Sequence, residues 1–84
     1  MDGDKYVCYY SLIEEGIGYS AISLNLPGCC GQGKTVEAAK ASIKESFEAL
    51  VQSYHDDEQQ VPFIAYHSKK GDHIVTVPVP DNAT

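Results

Sequence analysis

One stretch of the chain carries residue types that bind phosphate in other proteins. Residues 28–35 read GCCGQGKT and match the pattern G-x-x-x-x-G-K-[ST] at every position. In that motif, backbone N–H groups of a glycine-rich loop surround the phosphates and the lysine contacts them. The loop must follow a parallel strand buried on both faces, in a fold of several strand–helix–strand units. Here the preceding segment alternates like a strand with a solvent face, and the 84 residues contain one helical pattern. We therefore predict that the match is accidental and that no nucleotide binds.

The three cysteines are the next candidates for chemistry. Cys29 and Cys30 are adjacent, and Cys8 lies in an earlier segment. Adjacent cysteines rarely bridge each other, and an odd number argues against a disulfide framework. Lys34 and a helix start lie close to the pair in sequence and could stabilise a thiolate. However, no His-and-Asn arrangement and no C-x-x-C pair accompany them. We expect reduced thiols at a turn of a cytoplasmic protein, without catalysis.

The histidines and carboxylates do not form a recognisable site. His55, His67 and His73 have neither the helical i, i+4 spacing nor the short-loop spacing that metal sites favour. Acidic residues stand side by side at 14–15 and 56–57, but nothing places either pair in a cleft. We therefore expect no metal, no cofactor and no enzymatic activity.

The composition limits the classes of partner. The chain has 12 acidic and 6 basic residues, a formal net charge of −6. A nucleic-acid-binding surface needs a basic patch, whereas an acidic surface can attract a basic protein. No N-terminal signal peptide follows the start methionine, and no apolar run approaches the ~20 residues that span a bilayer. We expect a single cytoplasmic domain over residues 1–84 that contacts neither membrane nor nucleic acid.

Hydrophobic periodicity predicts four strands and one helix. The predicted strands cover residues 5–14, 19–26, 61–67 and 73–79, and a helix of about 20 residues begins at Val36. This ββαββ order predicts an α+β two-layer sandwich, in which one long helix covers one face of an antiparallel sheet of three to four strands. Within 19–26, large apolar and small or polar residues alternate, as in a sheet with one buried face. On the helix, the apolar stripe that includes Phe47 should face the core.

Four residues are expected to shape the connection from the second strand to the helix. Pro27 and Gly28 form a turn, because proline fixes one φ angle and glycine supplies a positive one. Gly33 lets the backbone turn tightly before the helix. Thr35 precedes the first helical residue and is expected to be its N-cap.

Tyrosines are concentrated in the first hairpin. The hairpin contains Tyr6, Tyr9, Tyr10 and Tyr19. Because side chains alternate between the faces of a strand, these rings cannot all enter one core. Exposed tyrosines are enriched at protein interfaces. We therefore predict Tyr9, Tyr10 and Tyr19 as contacts for a partner protein or for a second copy of the chain.

The same region carries a family likeness. Residues 18–51 read GYSAISLNLPGCCGQGKTVEAAKASIKESFEALV, with an aromatic before a strand, Leu-Pro-Gly-Cys, a Gly-rich step, a threonine and an acidic-Ala-Ala helix start. These pieces are Tyr19, residues 26–29, residues 32–33, Thr35 and residues 37–39. The combination resembles the HicB antitoxin family, and the flanking strands extend the likeness to about residues 5–80.

The resemblance implies a fold and a function. HicB-like domains have a partial ribonuclease H-like α+β fold and commonly oligomerise. They bind HicA, a small basic toxin that cleaves messenger RNA, and occlude its active site. Members usually also carry a C-terminal DNA-binding segment, for which this chain has no room after its last strand, so no DNA binding is expected. The alternative is a stand-alone homo-oligomeric binding domain for an unknown ligand, without a toxin partner.

Overall fold

Four antiparallel strands and one helix make up the part of the chain that the computed structural model describes, residues 5–79. The elements are β1 (Lys5–Glu15), β2 (Gly18–Ser23), β3 (Cys30–Gly33), α1 (Val36–Asp56) and β4 (His73–Pro78). The strand order in the sheet is β3-β2-β1-β4, and each neighbouring pair is antiparallel. One helix packed on one face of this sheet gives the expected α+β architecture.

The third strand is not where the sequence pattern placed it. Residues 61–67 form no strand, and residues 30–33 pair with β2 instead, so the order is βββαβ. The backbone of 61–67 crosses the end of the sheet, where the Ile64 N–H donates to the Asn25 carbonyl oxygen at 2.8 Å. The aromatic rings of this segment pack against other side chains instead. The ring centroids of Phe63 and Phe47 are 6.1 Å apart. The β-type composition of this segment therefore serves side-chain packing, not a strand ladder.

The core lies between α1 and the face of the sheet that it covers. From the helix it takes Ala39, Ile43, Phe47 and Val51, all at most 1% exposed. From the sheet it takes Cys8, Tyr10, Ala21, Val75 and Val77. The apolar stripe of the helix, Phe47 included, faces the core as expected.

The predicted cap and turn are confirmed. Thr35 has extended backbone angles, and its Oγ1 accepts a hydrogen bond from the Ala38 N–H at 3.0 Å, which satisfies a free donor of the first helical turn. At the end of β2, the Cys29 N–H donates to the Leu26 carbonyl oxygen across Pro27 and Gly28, at 3.3 Å. Gly28 has a φ of 84°, the left-handed region that favours glycine.

Two glycines of β3 allow the helix to approach the sheet closely. A Cβ on Gly33 would lie 2.5 Å from the Cβ of Ala38, and a Cβ on Gly31 would overlap the backbone of Ile43. Gly33 therefore lies before the helix as expected, but it is needed for contact with the helix as the last residue of β3. Within the phosphate-loop match, residues 30–33 are thus a strand packed under a helix, not an open loop around an anion.

Candidate partner-binding surface

The three candidate tyrosines lie on both faces of the sheet. Tyr10 and Tyr19 belong to the face that α1 covers, whereas Tyr9 points to the opposite side. The alternation of side chains along β1 makes this separation unavoidable. The structure therefore does not bring the three rings together into one patch.

Tyr10 was predicted as a partner contact, and this was wrong because the structure places it in the core. It is 3% exposed and stacks on His73, with ring centroids 5.4 Å apart. Burial raises the pKa of its hydroxyl, because the charged form loses its hydration. Its side chain leaves no surface for a partner.

Tyr9 and Tyr19 are both half-buried. The Tyr9 ring packs on Tyr66, with centroids 5.0 Å apart. Tyr19 lies beside the core and opposite Gly33 in the β2–β3 ladder. Contact of either tyrosine with a partner stays a prediction.

The sheet face opposite α1 carries no charged side chain in its interior. We call this surface the open face, and the cross-strand register defines its interior members: Val7, Tyr9, Ser11, Ile13, Ser20, Ile22, Cys30, Gln32, Ile74 and Thr76. The charged Lys5 and Glu15 lie on the same side, at the two ends of β1. Three large apolar side chains are exposed on it, Ile13 at 44%, Ile22 at 43% and Ile74 at 46%. A hollow of about 720 Å³ beside β2 and β3 is lined in part by Ile22, Cys30 and Gln32. Exposed apolar side chains that share one face make this surface a candidate for an interaction site.

Side chains do alternate between the two faces along β2, but the larger apolar residue is on the outer face instead of the core face. The helix side of β2 carries the small Ala21, which is fully buried, and the larger Ile22 points outward. The reason is the close approach of α1 over the β3 glycines, which leaves room only for small side chains beneath the helix. The apolar period of the sequence thus identifies a second surface, which α1 does not cover and on which the Tyr66 ring packs at Tyr9.

Asn25 joins three segments at the end of β2, although no motif in the sequence marked it. Its side-chain Oδ1 accepts from the Tyr9 N–H at 3.0 Å, and its Nδ2 donates to the Val7 carbonyl oxygen at 2.9 Å. Ser23 supports the turn, since its Oγ accepts from the Leu26 N–H at 2.9 Å. Asn25 is 7% exposed. A polar residue between two leucines next to a Pro-Gly turn was the available signal.

The cysteines separate into a buried pair and an exposed residue. Cys8 and Cys29 are 0% and 2% exposed, and Cys30 lies on the open face. The Cys8 thiol donates to the Ser23 Oγ at 3.4 Å, and the Ser23 N–H donates to the Cys29 carbonyl oxygen at 2.9 Å. A hydrogen bond with the Cys8 thiol, together with burial, raises the pKa of the Cys29 thiol. Burial withholds the Cys8 and Cys29 thiols from solvent, and Cys30 is the accessible one.

Acidic side chains gather where α1 ends. Asp56, Asp57 and Glu58 are consecutive and exposed, and we call them the acidic end. The carbonyl groups of a helix C-terminus add partial negative charge at the same place. Along the chain no lysine occurs between Lys44 and Lys69. The acidic end and the open face are thus two surfaces of different chemistry.

Neither a metal-binding cluster nor a membrane-spanning helix is found among the described residues. Across residues 5–79, no three His, Cys, Asp or Glu side chains gather closely enough to hold a metal ion. No helix in the same range combines the length and the apolar character needed to cross a membrane.

Comparison with known proteins gives a partial relationship. The chain is 43% identical over 44 residues to the UPF0150 protein ssl0738 of Synechocystis sp.. The matched segment covers 52% of this chain and 60% of that protein, so the chain spans less than two thirds of its relative's length. UPF0150 is the HicB-like family, so the match agrees with the resemblance over about half of the chain. No family model matches the chain.

Proposed function

We propose that this chain is a non-enzymatic antitoxin-type module, which binds a small basic HicA-like toxin and blocks its cleavage of messenger RNA. The observation that carries the proposal is the partial identity with a UPF0150 protein, a member of the HicB-like family. It rests also on the motif pieces between Tyr19 and residue 39, which resemble that family.

The charge of the chain is suited to such a partner. A net charge of −6 on a protein of 9.1 kDa produces a field that attracts a basic protein and speeds association. The acidic end is the part of that charge best placed for docking, because three carboxylates and a helix C-terminus act together there. An RNA-cleaving toxin must present cations to its substrate, and these carboxylates would compete for them.

The test is co-expression of the tagged chain with a small basic HicA-like protein, taken from a neighbouring gene where one is encoded there. We expect a complex that stops RNA cleavage and weakens as the salt concentration rises. Asp56→Asn, Asp57→Asn and Glu58→Gln in one variant should weaken binding by on the order of 10-fold or more.

The matched control removes the same amount of charge elsewhere, by Glu14→Gln, Glu15→Gln and Glu45→Gln together. All three carboxylates are exposed and lie away from the acidic end. Equal loss of binding in both variants would leave net charge, not the acidic end, as the cause. Absence of a complex with wild-type protein would contradict the antitoxin role itself.

The alternative function is a stand-alone homo-oligomeric binding domain without a toxin partner. The open face favours it, because an apolar surface without charged groups in its interior has no special affinity for a basic protein. Self-association alone is compatible with toxin binding, since the open face and the acidic end share no residue.

A further inference from the structure

We propose that the open face is the contact surface between two copies of this chain, which pack face to face as a symmetric dimer. Such a dimer does not depend on a toxin partner. It assigns the self-association expected of so small a domain to a defined set of side chains, with Ile22 close to the centre.

The distribution of charge argues for a second copy as the occupant. Two copies each carry −6, so they repel wherever acidic surfaces meet. The interior of the open face avoids this cost, because its members between Lys5 and Glu15 are apolar or neutral. Those two charges have opposite signs and stand at opposite ends of β1. Cross-strand neighbours Tyr9 and Ile74 give it an apolar centre on one side, and Ile13 extends it on the other. A charged partner would be expected to select complementary charges, and the interior of the face offers none.

The edges of the sheet are poorly suited to the same task. At the β3 edge the Gln32 N–H is already occupied, since it donates to the Ser42 Oγ at 3.1 Å. At the β4 edge, Lys40 and Lys44 line a groove beside residues 74–76. A second copy added antiparallel along β4 would bring like lysines together. Face-to-face packing of the two sheets meets neither obstacle.

The area of the open face limits how stable the proposed dimer can be. Seven residues of β1 cover about 20 Å, and four strands cover about 15–19 Å, so the projected area is roughly 300–400 Å² per copy. Stable interfaces bury about 800 Å² per partner, so we expect a dimer that dissociates on dilution in the micromolar range.

Sedimentation velocity over a concentration series tests the proposal, with three variants. Wild-type protein should approach twice 9.1 kDa as its concentration rises. Ile22→Glu and Ile22→Lys should each raise the dimer dissociation constant by about 100-fold or more, since both place like charges against each other across the twofold axis. Ile17 is 94% exposed in the β1–β2 turn, so Ile17→Glu is the matched control and should dimerise like wild type.

The two signs of charge distinguish a second copy from a basic partner on this face. Self-association should suffer from both glutamate and lysine, whereas a basic occupant would tolerate Ile22→Glu and reject Ile22→Lys. Circular dichroism should show that both variants are folded, because Ile22 is 43% exposed. A wild-type protein that stays at 9.1 kDa up to its solubility limit would overturn the proposal, as would an Ile22→Glu variant that remains dimeric. Neither result would bear on toxin binding at the acidic end.

Discussion

The side chain of Asn25 replaces a strand residue beside Tyr9. The β1–β2 ladder ends at the pair Tyr10 and Ser23, and from there Asn25 Oδ1 accepts the next β1 donor, the Tyr9 N–H, at 3.0 Å. Its Nδ2 then donates to the carbonyl oxygen of Val7 at 2.9 Å. The amide thus acts as one peptide group of an absent strand, and it lets the chain leave the sheet for the Pro27–Gly28 turn without orphaned backbone groups.

Replacing this amide should destabilise the fold markedly. Asn25→Ala leaves one donor and one acceptor of β1 unsatisfied near the core, so the free energy of unfolding should fall by about 2–4 kcal/mol. Urea unfolding followed by circular dichroism measures the change. Gln59→Ala removes an exposed amide and should stay within about 0.5 kcal/mol of wild type. A loss at Asn25 no larger than at Gln59 would mean that water replaces the amide.

The contact between β3 and α1 should tolerate no side chain at Gly31. Gly31→Ala places a methyl group into the backbone of Ile43, so helix and strand must separate. We expect a loss of about 1–3 kcal/mol from overpacking. Gly16 lies in the β1–β2 turn, where an added methyl group would meet nothing within 4 Å, so Gly16→Ala serves as the control. Thermal melting compares the two, and equal melting temperatures would show that the helix moves away at little cost.

The cap at Thr35 should stabilise α1 measurably. Thr35→Ala removes the acceptor of the Ala38 N–H and should cost about 1 kcal/mol. For a domain of this size, that corresponds to a fall of about 4–8 °C in melting temperature. Thr35→Ser keeps the hydroxyl and should melt close to wild type. If serine and alanine variants melt alike, the hydroxyl is not the stabilising group.

The sequence predicted correctly those elements whose structure depends on residues close together in the chain. The 3.6-residue period of α1 and the Thr35 cap were readable because both depend on residues within one or two turns. The Pro27–Gly28 turn was readable for the same reason, since φ preferences act residue by residue. The ends of β1 and β4 followed from their β-branched and aromatic composition.

Elements whose structure depends on tertiary contacts could not be predicted from sequence patterns. The short strand β3 contains Gly31 and Gly33, which have no strand preference, and it forms because β2 and α1 leave room for a bare backbone. Residues 61–67 have the composition of a strand, but they cross the end of the sheet. For the candidate surface, exposed tyrosines were predicted on the hairpin, whereas the structure buries Tyr10 in the core and exposes Ile22 on the open face.

Thiol reactivity offers a direct check on which face of the sheet is open. Cys30 is exposed there, whereas Cys8 and Cys29 lie in the core, and the pKa of Cys29 is raised by its hydrogen bond with Cys8 and by burial. A disulfide reagent such as Ellman's should therefore titrate one thiol rapidly in the folded protein and all three in denaturant, because the thiolate is the reacting form. Cys30→Ser should abolish the fast phase and leave the melting temperature unchanged.

Since Cys30 is the cross-strand neighbour of Ile22, the fast phase should also slow as the protein is concentrated, and it should not slow in Ile22→Glu. Fast labelling of Cys8 or Cys29 would instead mean that α1 opens readily from the sheet.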